Sequence, residues 1–134
     1  MTDRAQQLIQ SLKLTPHPEG GFYRETHRSD AKVSAHGGMR DAVTSILFLL
    51  PTGHKSRRHR VKSDEVWMHH QGDDLLLTIG GIEVVLGQAP PARFQVTVPG
   101  GAWQAAEPLA GPDGFVLVGC VVAPGFDFDD FEMD

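Results

Sequence analysis

The feature that most restricts this chain is a succession of short β-rich runs with little between them but turn residues. GGFYRETH, AVTSILFLL, RRHRVK, EVWMHHQ, DLLLTIGG, IEVVLG, RFQVTVPGG, AWQAAE and FVLVGCVVAP follow one another. Tight turns are expected at Gly72-Asp73-Asp74, Gly80-Gly81 and Gly100-Gly101, where residue types suited to sharp reversals cluster. The pattern predicts roughly eight to ten strands. Only TDRAQQLIQSLKL reads as a helix. Thr2 or Asp3 can cap it, Leu8, Ile9 and Leu12 recur at helical spacing, and Pro16 and Pro18 end it. No second helical pattern alternates with the strands, which argues against a parallel βαβ sheet and for an all-β sandwich or barrel.

Composition supports one domain over residues 1–134. At 40% hydrophobic and 22% charged, the chain can build a core. A net charge of -5 argues against nucleic acid or an anionic membrane as the main partner. Cys120 is the sole cysteine, so no internal disulfide can form. Its apolar neighbours predict a buried side chain. MTDRAQQLIQ lacks the apolar core of a signal peptide, and AVTSILFLLP is too short to span a bilayer. The expectation is a soluble cytoplasmic protein.

The stretch from His54 to Gly72 holds four of the seven histidines. Gly53 is followed by five residues and then His59, with Val61, Glu65 and Gly72 further on. Later come Pro99, Gly101, Gln104 and Pro108. This spacing resembles the two cupin motifs, in which Val61 and Gln104 would be histidine and Pro108 asparagine. The blocks PHPEGGFYRET, HRVKSDEVW, VPGGAWQAA and VAPGFDFDDFEM, in this order, are similar to the cupin-5 family, once labelled DUF985. The resemblance runs from about Leu14 to Met133. It implies a double-stranded β-helix, or jelly-roll, barrel with one short N-terminal helix, usually dimeric, so a homodimer is expected here. The family has no settled activity. Its fold is similar to that of the dTDP-sugar 3,5-epimerases, which use acid–base residues without a metal.

That resemblance frames three readings of one site. Cupins that bind a metal use His, His, Glu and His, of which only His59 and Glu65 remain here. Side chains alternate along a strand, so Glu65, Trp67 and His69 share a face. His59, Glu65, His69 and Gln104 would then form a distorted site for a divalent metal. The second reading needs no cofactor. His59, projecting with Glu65 into an apolar barrel, exchanges a proton as general base or acid, and Glu65 orients or assists it, in an isomerase, epimerase or lyase acting on a sugar or oxo-acid. Gln104 hydrogen-bonds the substrate. Tyr23 is a candidate proton donor and Arg24 a candidate anion clamp, and as strand neighbours only one of them faces inward. The third reading is a non-catalytic cupin that binds a small molecule. Whether the protein is an enzyme stays open at this point.

The remaining candidates follow from parity. With His59 and Val61 inside, Arg58, Arg60 and Lys62 face outward, while Arg57 shares parity with His59 and would reach the barrel mouth to bind an anion. Trp67 would line the pocket or pack in the core. Trp103 faces away from Gln104, toward core or interface. Phe126, Phe128 and Phe131 would close one barrel end, with Asp127, Asp129 and Asp130 facing solvent. Gly20-Gly21 suits a close approach at the pocket rim, and His17 lies in the same block without a clear role.

Overall fold

A computed structural model describes all 134 residues, Met1–Asp134. The chain opens with α1 (Asp3–Ser11), β1 (Thr15–Pro16), β2 (Phe22–Arg28), β3 (Lys32–Ala35), β4 (Gly38–Asp41) and β5 (Thr44–Pro51). It continues with β6 (Ser56–Val61), β7 (Asp64–Gly72), β8 (Leu75–Ile79), β9 (Ile82–Leu86) and β10 (Gln95–Val98). Then come β11 (Gln104–Pro108), β12 (Phe115–Ala123), a 3-10 turn (Phe128–Asp130) and β13 (Phe131–Met133). Two antiparallel sheets form the jelly roll. One has the order β1-β2-β5-β12-β7-β10, the other β13-β6-β11-β8-β9. The fold is the all-β cupin jelly roll with one helix that the sequence predicts. No helix is long and apolar enough to cross a membrane.

Thr2 caps α1, its hydroxyl accepting from the Ala5 N–H at 3.2 Å. The helix lies on the outer face of the first sheet, where Ala5, Leu8 and Leu14 pack on Leu49, Phe115 and Leu117. This explains why AVTSILFLL and FVLVGCVVAP are apolar almost throughout. Both faces of β5 and β12 are covered, so neither strand can alternate with polar residues. Their inward residues, Phe48, Leu50, Val116 and Val118, join Trp67, Leu75, Leu77 and Leu86 in the main core.

Turns fall where the glycines mark them. At Gly72 (φ 94°) a side chain would meet the Phe115 carbonyl oxygen at 2.2 Å, so only glycine fits. The hairpin β3–β4 carries no apolar pattern and is not evident from the sequence. It is tied to the C-terminal segment by Arg40, whose Nε and Nη2 donate to the two Asp130 oxygens, each at 2.8 Å. Asp130 is therefore buried in an ion pair, not solvent-facing as parity suggested.

Candidate functional site

A cavity of about 280 Å³ opens between the sheets at the end closed by the C-terminal segment. His17, Glu19, His59 and Glu65 give it a polar floor. Ile46, Val61, Val122, Phe126 and Phe131 form apolar walls. Tyr23, Glu25 and Arg28 line it from β2, and Asp127 and Phe128 from the C-terminal turn. Phe128 is 60% exposed, so it sits at the mouth. Cys120 is buried against the same space.

His59 is 3% exposed and both its ring nitrogens face polar atoms. Nδ1 lies 2.7 Å from the Arg57 carbonyl oxygen, which can only accept, so Nδ1 carries the proton. Nε2 is thereby left with its lone pair, 3.2 Å from Glu19 Oε2. Burial lowers the affinity of His59 for a second proton, and the bond to the Arg57 carbonyl only partly offsets this. Burial also pushes the Glu19 carboxyl up to about 8, aided by the charge of Glu65 and opposed by the Ser56 hydroxyl. The pair is thus neutral at pH 7, with the protonated Glu19 carboxyl beside the unprotonated His59 Nε2.

A short loop carries Glu19 to this position. The Arg57 N–H donates to the Glu19 carbonyl at 2.8 Å, and the Ser56 hydroxyl donates to Glu19 Oε1 at 2.9 Å. Gly20 (φ 116°) lets the loop press against β6, since a side chain there would lie 2.0 Å from the Lys55 carbonyl oxygen. The Glu19 N–H donates to His17 Nδ1 at 3.0 Å, so the His17 proton sits on Nε2. No protein group accepts from that N–H, and no buried polar side-chain atom in the chain is left unpaired, so Nε2 looks into the cavity space. Burial and the proximity of His59 lower the His17 pKa to about 4, keeping the ring neutral. Tyr23 meets the His17 ring edge to face at 4.3 Å.

Glu65 is buried at the other side of the floor. The Trp67 indole N–H donates to Gln104 Oε1 at 2.9 Å, which turns the Gln104 amide N–H toward Glu65 Oε1 at 3.0 Å. Burial raises the Glu65 carboxyl to about 7 against the pull of Gln104 and the Cys120 thiol. Burial raises the thiol well above its ordinary range.

The structure thus brings His59, Glu65 and Tyr23 to one cavity and leaves the rest outside its lining. Tyr23 faces inward, and Arg24 faces out, its Nε donating to the Leu12 carbonyl at 2.8 Å. Trp67 and Gln104, each 1% exposed, stand behind Glu65 in the core and do not line the cavity. His69 lies further along β7, where its Nε2–H donates to the Asp73 carbonyl oxygen at 2.9 Å. Arg57 is exposed. Ser56 pairs with Ala106 and His59 with Gln104, so β6 carries one extra residue there. That bulge breaks the alternation and turns Arg57 outward. The partner of His59 is Glu19, not Glu65. Sequence reasoning passed over Glu19. Its signal was its place directly before the glycine pair, in the block PHPEGGFYRET.

The donor set does not fit the metal of other cupins. Val61 fills a wall position where the motif has histidine, the Gln104 amide is committed to Trp67 and Glu65, and His69 is bonded elsewhere. No three His, Cys, Asp or Glu side chains converge as a metal would need.

The model of the Cupin_5 family, a cupin superfamily group described as DUF985, matches residues 6–134. The chain belongs to this family. An uncharacterised Saccharomyces cerevisiae protein is 31% identical to this cupin over 150 residues, covering 93% of the chain and 72% of the yeast protein. A hypothetical protein from Leishmania major has a TM-score of 0.91 and 38% identity, over 97% of this chain and 86% of that one. A Shewanella oneidensis protein has a TM-score of 0.84 and 38% identity, over 100% and 85%. Pac13, a nucleoside dehydratase, shares the cupin fold at 16% identity and a TM-score of 0.55, over 78% and 83%.

Proposed function

We propose that this cupin is a small-molecule enzyme of lyase, isomerase or epimerase type that works by metal-independent acid–base chemistry on a polar metabolite. The observation that carries this reading is the neutral His59–Glu19 pair, 3.2 Å apart on the floor of the cavity. The two groups hold complementary halves of a proton transfer. His59 Nε2 offers a lone pair with its tautomer set by the backbone, and Glu19 offers a proton.

In an elimination, His59 takes the proton from carbon and Glu19 gives its proton to the departing hydroxyl, releasing water. This leaves imidazolium beside carboxylate, and one transfer from His59 Nε2 to Glu19 Oε2 restores the resting pair. In an isomerisation, the same base takes a proton and returns it to a different atom. Glu65 and Tyr23 border the cavity where each can bind or protonate a substrate oxygen. That Pac13 is a dehydratase supports the view that a cupin barrel can host such a step.

The test is wash-in of solvent deuterium into sugars and neutral hydroxy-carbonyl compounds, followed by NMR. Wild-type protein should label at least one carbon position, and His59→Ala and Glu19→Gln should each slow labelling by about a hundredfold or more. Binding of a compound without exchange in the wild type would favour the non-catalytic binding protein. Labelling unaffected in both variants would overturn the assignment.

A further inference from the structure

We infer that the cavity selects uncharged, oxygen-bearing ligands with an apolar face, and excludes carboxylates and phosphates. This deepens the functional reading above and rests on the cavity being the ligand site.

The argument starts from the cations. Arg28 is the only arginine or lysine lining the cavity. A bulge between Glu25 and His27 brings it there by shifting the register of β2. Four of its five N–H donors are already spent. Nε and Nη2 donate to Glu25 at 2.7 and 3.3 Å, and Nη1 donates to Asp41 at 2.8 Å and to the Phe126 carbonyl at 3.1 Å. Asp41 also takes Lys32. Arg28 is therefore a strut joining β2 to the C-terminal wall, not an anion receptor. The arginines that could have replaced it, Arg24 and Arg57, point away.

Four carboxyl groups line the same space: Glu19, Glu25, Glu65 and Asp127. Glu19 holds its proton and Glu25 is offset by Arg28, so an entering anion would meet the partly ionised Glu65 and Asp127 with no free cation beside them, in a cavity that strips away its water. The neutral ring of His17 adds no compensating charge, but its Nε2–H is a donor with no protein acceptor. It suits a hydroxyl or carbonyl oxygen. Phe126, Phe128 and Phe131 meet edge to face, with centroids 4.9 to 6.0 Å apart, and supply an apolar face beside these polar groups. At protein-like packing density, near 0.74, the 280 Å³ cavity holds about 200 Å³ of molecule, which is monosaccharide-sized.

The experiment uses matched probes that differ in charge: glucose against glucuronate, and uridine against uridine 5′-monophosphate. Each is titrated at millimolar concentration, following the amide NMR signals of Glu19, Phe126 and Phe131. The neutral member of at least one pair should shift these signals, and its anionic partner should bind about tenfold or more weakly. Glu25→Gln/Asp41→Asn, which removes the two charges that offset Arg28, should narrow that ratio. Asp127→Asn should narrow it too, since asparagine keeps the acceptor that caps the Asp129 N–H. An anion that binds as tightly as its neutral partner, at the same amides, overturns the ligand class and leaves the His59–Glu19 chemistry standing. Silence at these amides for every probe overturns both.

Discussion

Strands β5, β7 and β12 each serve two interiors. Toward one end their inward side chains are Phe48, Leu50, Trp67, Val116 and Val118, which fill the barrel. Toward the other they are Thr44, Ile46, Glu65, Cys120 and Val122, which line a hollow. The packed end gains dispersion and apolar burial from every atom. The hollow end holds two carboxyl groups and two imidazoles out of bulk water, which opposes stability. The join between the two is the Trp67–Gln104–Glu65 chain, which starts in the core and ends at the cavity. The difference teaches that one end sustains the fold while the other holds unfavourable groups in place for chemistry.

Substitutions can break or sharpen that contrast, and the largest effect is expected at the packed end. Trp67→Ala should cost about 3–5 kcal/mol in urea unfolding, from the cavity it leaves and the Gln104 acceptor it orphans. At the join, Gln104→Leu should cost about 1–3 kcal/mol, because the Trp67 N–H and Glu65 each lose a buried partner. The hollow end should announce itself through pH. Glu19 at about 8 and Glu65 at about 7 keep protons that the unfolded chain releases above its ordinary 4.5. Their contribution to stability is therefore lost as pH rises through this window. His17, at about 4 against an ordinary 6.5, refuses a proton that the unfolded chain binds, so its slope is opposite between those values. The slopes oppose up to pH 6.5, and the carboxyl slope alone remains from there to about 8. Thermal midpoints should fall across that interval, and Glu19→Gln should flatten the fall. His59→Ala should cost about 1–2 kcal/mol, since the Arg57 carbonyl loses its partner beside a cavity that water can enter, while removing exchange activity. Smallest of all, Arg24→Ala should move stability by about 0.5 kcal/mol or less and leave the cavity signals unchanged.

Most of the fold could be read from residues, because glycine turns and period-two runs are local signals. The motif spacing likewise placed His59 and Glu65 in one interior. Alternation, however, reports which face a side chain takes and not how far along the barrel it sits. That is why Glu65, Trp67 and His69 shared a prediction yet reach the cavity, the core and a turn carbonyl respectively. Parity also fails silently at a bulge, as at Arg57 and Arg28. Glu19 and His17 sit on a loop, where no period exists to read. Asp130 is drawn inside by Arg40, some ninety positions away in sequence, and nothing in its own neighbourhood foretells that.

The bulge in β6 carries an evolutionary consequence. What His59 uses from residue 57 is its carbonyl oxygen alone, and Glu19 is held by that residue's N–H. Any amino acid other than proline supplies both. Position 57 is accordingly free to drift in identity while its presence is obligatory. Loss of one codon there would restore a regular strand and a better-paired sheet, yet take away the group that sets the histidine's tautomer. Lineages of this protein should thus accumulate substitutions at that point and eliminate length changes.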